Sequence, residues 1–172
     1  ASNNVVINNR ISSVKSNGII LWDNASNNVL QANVINSSYY GISLHYSSDN
    51  NTIVNNAISQ IRSRAMILDE SNRNIVYHNN FLDAVVEAYD SGLNHWSFGG
   101  QGNYWGDYEG PDIDGNGIGD VPRPIPPKGT DSFPLMNPKP VVFVPTLYIE
   151  PEEKPQMLGG GFIITTEETW EN

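Results

Sequence analysis

The chain has 172 residues, 38% apolar and only 16% charged, with a formal net charge of −10 and no cysteine. That balance excludes a disulfide framework, a thiolate metal site and a cysteine nucleophile, and nine scattered Lys and Arg argue against a nucleic-acid partner. Asn occurs 23 times and disfavours long helices, because its side chain competes for nearby backbone hydrogen bonds.

The first ninety residues repeat. "SNNVVINNRISSVKSNGIIL" from Ser2 aligns with "SNNVLQANVINSSYYGISL" from Ser26, "NNTIVNNAISQIRSRAMIL" from Asn50 and "NRNIVYHNNFLDAVVEAYD" from Asn72. The alignment puts Asn9, Asn33, Asn56 and Asn80 in one column, at steps of 24, 23 and 24 residues. Val6, Leu30, Ile53 and Tyr77 form a second column, and Ile11, Ile35, Ile58 and Leu82 a third. Gly18, Gly41, Ala65 and Ala88 form a column of small residues. Short β-branched bursts broken by Asn, Ser and Gly read as strands joined by turns. A coil of roughly 23 residues carrying three such strands predicts a parallel β-helix over residues 1–101, with coils about 4.8 Å apart. Stacked in register, the asparagines would hydrogen-bond to one another and to turn backbone. Removing one such side chain should cost about 1–3 kcal/mol.

The same alignment stacks Trp22, His45 and Asp69, and beside them Asp23, Tyr46 and Glu70. Aromatic faces beside carboxylates suit sugars, whose apolar faces lie on rings while their hydroxyls bond to acids. An ordinary polar solenoid face is the alternative. Asn24, Asn36 and Asn50 each open an Asn-x-Ser/Thr glycosylation sequon. Hydrolysis would need two carboxyl groups about 5–9.5 Å apart. Asp23 and Asp69 lie two coils apart, and the neighbours Asp69 and Glu70 should diverge, so the reading leans against an enzyme.

Residues 102–138 read as a cap on the last coil, with Tyr104, Trp105, Tyr108 and Phe133 as covering aromatics. Within it, "PDIDGNGIGDVP" carries the spacing of an oxygen-ligand calcium loop. Asp112, Asp114 and Asn116 occupy the first, third and fifth positions, the Ile118 carbonyl the seventh and Asp120 the ninth, with Gly117 at the sixth. Arg123 stands where an EF-hand has its bidentate Glu, so a structural calcium site is expected to be weak, with Kd about 10⁻⁴ to 10⁻³ M. Asp107 and Asp131 are further candidate ligands. Consecutive Asp-Gly turns are the alternative.

Residues 139–172 form a proline-punctuated, acidic tail. Its β-prone bursts, Val141 to Val144 and Phe162 to Thr166, could pair as a hairpin, lie along the β-helix or add to a neighbouring chain.

The repeat phrase, together with "GNYWGDYEGPDIDGNGIGDVPRPI" from Gly102 and "TDSFPLM" from Thr130, resembles the C-terminal part of a NosD-like right-handed parallel β-helix over residues 2–136. The resemblance implies an all-β solenoid in an extracellular, cell-surface or periplasmic setting. Some members of that family are accessory proteins linked to copper delivery, and many others are surface proteins with presumed carbohydrate binding. His45, His78 and His95 fall in different columns, and Met66, Met136 and Met157 do not cluster, so copper is not expected here. The repeat opens in mid-phase, which predicts that further coils, another subunit or a second copy covers that end. The leading expectation is a non-catalytic surface module for scaffolding or glycan recognition, such as a surface-layer component, with carbohydrate or another surface protein as partner. A polysaccharide-active enzyme and a copper-delivery protein are its rivals.

Overall fold

A computed structural model of the chain describes residues 1–142. The burst at 162–166 and the second half of that at 141–144 lie outside the described residues.

Each coil is built around a two-residue phrase, a left-handed residue followed by an asparagine. Asn3-Asn4, Asn27-Asn28, Asn50-Asn51 and Arg73-Asn74 open one strand of successive coils. Asn8-Asn9, Ala32-Asn33, Asn55-Asn56 and His78-Asn79 open the next. The leading residue of every pair has φ between 53° and 60°. Asn enters that region more readily than most L-residues, so an Asn-rich chain can turn this corner repeatedly.

The strands between these corners are short. Coil one holds β1 (Val5–Ile7), β2 (Arg10–Ser12) and β3 (Asn17–Trp22), and coil two β4 (Val29–Gln31), β5 (Val34–Asn36) and β6 (Tyr40–His45). In coil three the strands on either side of the second corner run on as one, although Gln60 keeps φ of 53°, leaving β7 (Thr52–Val54) and a long β8 (Ala57–Asp69). Coil four repeats this with β9 (Ile75–Tyr77) and β10 (Asn80–Asp90). All pair in parallel with the coil above, giving a three-faced β-solenoid of about four turns with no helix among the described residues. Then come β11 (Tyr104–Trp105), β12 (Arg123–Ile125) and β13 (Gly129–Asp131).

Two asparagine ladders run the length of the stack. One is Asn9, Asn33, Asn56, Asn79 and Asn103; the other is Asn4, Asn28, Asn51, Asn74 and Asn94. At every step one amide oxygen accepts both the backbone N–H and the Nδ2 of the Asn in the preceding coil, at 2.8–3.1 Å. The asparagines of the middle coils are buried, so each amide replaces the water that the corner backbone would otherwise need.

Between the ladders lies a core of stacked aliphatic columns. Leu30, Ile53 and Val76 line one face, Ile35, Ile58 and Phe81 the second, and Leu44 and Leu68 the third, all fully buried. The register corrects the fourth coil of the repeat alignment by one residue. The ladder takes Asn79, not Asn80, and the core columns take Val76 and Phe81, not Tyr77 and Leu82. Both Asn79 and Asn80 are amides, so residue type alone could not choose between them. The shift is then retained by β10, which pairs Ala84 with Ile61 but Val86 with Arg64 across an irregularity. Ala88 consequently pairs with Met66, and the small-residue column ends at Glu87.

The last coil is closed by the segment that follows it. β11 adds a short fifth rung, pairing Asn80 with Tyr104 and Phe81 with Trp105. The buried Trp105 ring stacks on Phe81 at 4.4 Å, with the buried Trp96 5.7 Å from it. The Arg123 guanidinium lies 4.1 Å from the Trp105 ring centre while forking onto Asp107 at 2.7 and 2.8 Å. Phe133, expected among the covering aromatics, is 42% exposed, whereas Trp96, which the sequence reading did not name, is buried beside Phe81 and Trp105.

Candidate functional site

The third face of the solenoid, formed by β3, β6 and the C-terminal halves of β8 and β10, carries an open groove of about 480 Å³. Strand alternation sends every second residue outward. Trp22 pairs with His45 and His45 with Asp69, so the column expected from the alignment forms. One step back along the strands, Ile20, Ser43, Ile67 and Tyr89 make a second column. Asn17, Tyr40 and Arg64 complete the lining.

Trp22 is 52% exposed, with its ring 5.2 Å from His45 and 4.7 Å edge-on to Tyr46. Asp69 Oδ1 accepts the Ser91 hydroxyl at 2.9 Å, and Oδ2 lies 3.5 Å from His45 Nδ1. Arg64 lays its guanidinium 5.2 Å from the Tyr89 ring centre, and its buried Nε has no hydrogen-bond partner. Asp23, Tyr46 and Glu70 have φ of 50°, 51° and 49° and sit on the corner beyond the groove, not within it. Ile20, Tyr40, Arg64 and Tyr89 were missed in the sequence, although stepping back from Trp22 and Asp69 by two residues would have found Ile20 and Ile67.

The Asp/Gly-rich loop is folded upon itself. Asp112 accepts the N–H groups of Asn116 and Gly117 at 3.0 and 2.9 Å, and Asp114 accepts Asn116 N–H at 3.1 Å and Nδ2 at 2.8 Å. Asn116 Oδ1 takes the Ile118 N–H and Asp120 the Ile113 N–H. Gly115 and Gly117, at φ of 71° and 84°, supply the backbone reversal. Of the two further candidates, Asp107 is held by Arg123, and Asp131 is buried at the end of a ladder.

Residues 1–110 match the family described as "Periplasmic copper-binding protein (NosD)". The chain belongs to the NosD family. No curated protein and no solved structure matches it. Among the described residues, the three histidines stand apart from one another. His45 lines the groove, His78 Nε2 lies 2.7 Å from Gln101 Oε1, and His95 borders a separate cleft with Lys128. Met66 is buried in the core, and Met157 lies outside the described residues. Among the described residues, no three His, Asp or Glu side chains converge as a metal site would require. No helix among them is long and apolar enough to cross a membrane.

One buried acid lies away from the groove. Glu87 is 7% exposed, and its Oε2 has no partner. Burial, reinforced by the nearby Asp107 and Asp83 carboxylates, pushes its carboxyl up to about 7, against the pull of Arg123 and the Ala84 backbone.

Proposed function

We propose that this NosD chain is a non-catalytic β-solenoid module of the cell exterior or periplasm, and that it binds carbohydrate along the groove of its third face. The observation that carries this reading is Trp22, a half-exposed indole at the edge of an open groove also lined by Tyr40, Tyr89, Asn17 and Asp69. Such a surface offers flat apolar area with a few polar partners, which is what a pyranose needs. The family's periplasmic description agrees with that setting. Calcium would stabilise the cap by drawing together Asp112, Asp114, Asn116, the Ile118 carbonyl and Asp120, whose carboxylates do not converge as the loop stands. The Asp112 and Asp114 carboxylates each have lone pairs beyond those that the loop N–H groups occupy.

A glycan array probed with the intact chain and with Trp22→Ala tests the proposal. Binding to a defined set of glycans, weakened at least tenfold in Trp22→Ala, is the expected outcome. An array with no signal would sink carbohydrate recognition, and turnover of any bound polymer would overturn the non-catalytic reading.

A further inference from the structure

The groove's own polar groups point to the charge of its ligand, an inference that rests on the groove being a carbohydrate site. The Asn17 and Asp69 side chains each already hold a donor. Asn17 Oδ1 takes the Ser43 hydroxyl at 2.6 Å, and Asp69 is held by Ser91 and faced by His45. The cation is not engaged. Arg64 has no carboxylate partner among the described residues, its guanidinium rests only on the Tyr89 ring, and its buried Nε lacks an acceptor. A buried donor without a partner carries the full penalty of its lost hydration. The guanidinium fork matches a carboxylate in two parallel hydrogen bonds, a geometry that a single hydroxyl cannot reproduce.

The walls narrow the class further. Trp22, Tyr40 and Tyr89, with Ile20 and Ile67, give the groove apolar area that a bare inorganic anion would leave unused. A neutral sugar would cover those rings and leave Arg64 unmatched. We infer that the groove takes an acidic saccharide, one whose ring carboxylate, as in a uronate, docks on Arg64 while the pyranose faces lie on the aromatic walls. Trp22 belongs to the first coil and Tyr89 to the fourth, roughly 14 Å apart along the axis by the spacing of stacked strands, so a short oligomer would lie along the stack.

The decisive comparison changes only the charge. Oligogalacturonate and oligomannuronate are titrated into the chain by calorimetry, each beside its methyl ester, at low and at 0.5 M salt. At least one acid form should bind tenfold or more tightly than its ester, and salt should shrink that margin. In Arg64→Met the margin should vanish, with acid and ester bound alike; Arg64→Lys should keep part of it; Trp22→Ala should weaken both forms. Melting curves check that each variant is folded. Equal binding of acid and ester by the unaltered chain would overturn the acidic-ligand inference and leave carbohydrate recognition standing. Failure of all four probes, with other glycans bound on the array, would likewise reject the acidic class alone. Failure of every glycan would reject both.

Discussion

Asp90 and Asp131 end the two asparagine ladders in the same way. Asn94 Nδ2 donates to Asp90 Oδ1 at 2.7 Å, and Asn103 N–H donates to Asp131 Oδ2 at 2.7 Å. Each carboxylate also accepts an indole N–H, from Trp96 at 2.7 Å and from Trp105 at 2.9 Å. Both aspartates are fully buried, and each has a glycine against it. A Cβ on Gly102 would collide with the Asp131 carboxyl, and one on Gly129 would crowd Asp90 and Trp96. Because every rung donates toward the same end, the ladders deliver N–H groups to their last member, and an all-acceptor side chain suits that place.

Asp131→Asn and Asp90→Asn should each destabilise the chain by about 2–4 kcal/mol, since the new amide turns a donor toward donors at a fully buried site. Trp105→Phe, which only removes one donor and part of a ring, should cost less. Urea unfolding of the three variants checks the order. An Asp131→Asn midpoint equal to the parent's would show that the ladder end carries no stability.

Position along a ladder should set the cost of losing an amide. Asn56 is fully buried; its Nδ2 serves Asn79, Leu30 and Val54, and its Oδ1 serves Asn33. Asn9 is exposed. Asn56→Ala should cost about 2–3 kcal/mol and Asn9→Ala under about 1 kcal/mol. Thermal melts of the pair would expose the idea as wrong if the two losses were equal.

Glu87 should make stability fall as pH rises. Its folded carboxyl is raised from 4.5 to about 7, so its contribution is fully present below pH 4.5 and lost as pH climbs through about 7. Asp131 is pushed in the same direction by burial, against hydrogen bonds from Trp105, Asn103 and Phe133, so the Glu87 share has to be isolated by substitution. Glu87 borders an open cleft with Asp107 and Arg123, and solvent screening there reduces the effect to about 1–2 kcal/mol. Glu87→Gln should match the parent at pH 5 and exceed it by that amount at pH 8. Parallel pH profiles for the two would dismiss the effect.

Calcium should raise the melting temperature of the chelator-treated chain. At 10 mM ion and a Kd near 10⁻³ M the gain is about 1.4 kcal/mol. Asp112→Ala and Asp114→Ala should abolish it, and magnesium should give less. A melt indifferent to calcium would make the loop a set of hydrogen-bonded turns.

Three coils of the solenoid were readable because their apolar columns and ladder asparagines recur without ambiguity: Ile11, Ile35 and Ile58 pair as the alignment had them. The fourth was not, since Asn79 and Asn80 offer two equivalent choices and the one-residue difference persists through β10 to Ala88. The second ladder went unnoticed because its members sit in Asn-Asn pairs in coils one to three, where one amide turns the corner and the other hydrogen-bonds. Trp22, His45 and Asp69 were found by stacking. Arg64 was not, for it has neither an aromatic nor an acidic neighbour in sequence and gains its meaning only from Tyr89, one coil away.

The two ladders also act as a ruler. From Asn4 to Asn9, Asn28 to Asn33, Asn51 to Asn56 and Asn74 to Asn79 the interval is always five residues, whereas successive rungs of one ladder are 20 to 24 residues apart. Length is therefore policed on one edge of the prism and free on the others. Loops or tags grafted after β2, or into the Phe98–Gln101 turn where the last pair of rungs, Asn94 and Asn103, already stands nine residues apart, can be absorbed, while a single residue added between the paired rungs of the first four coils would throw every coil beyond it out of step.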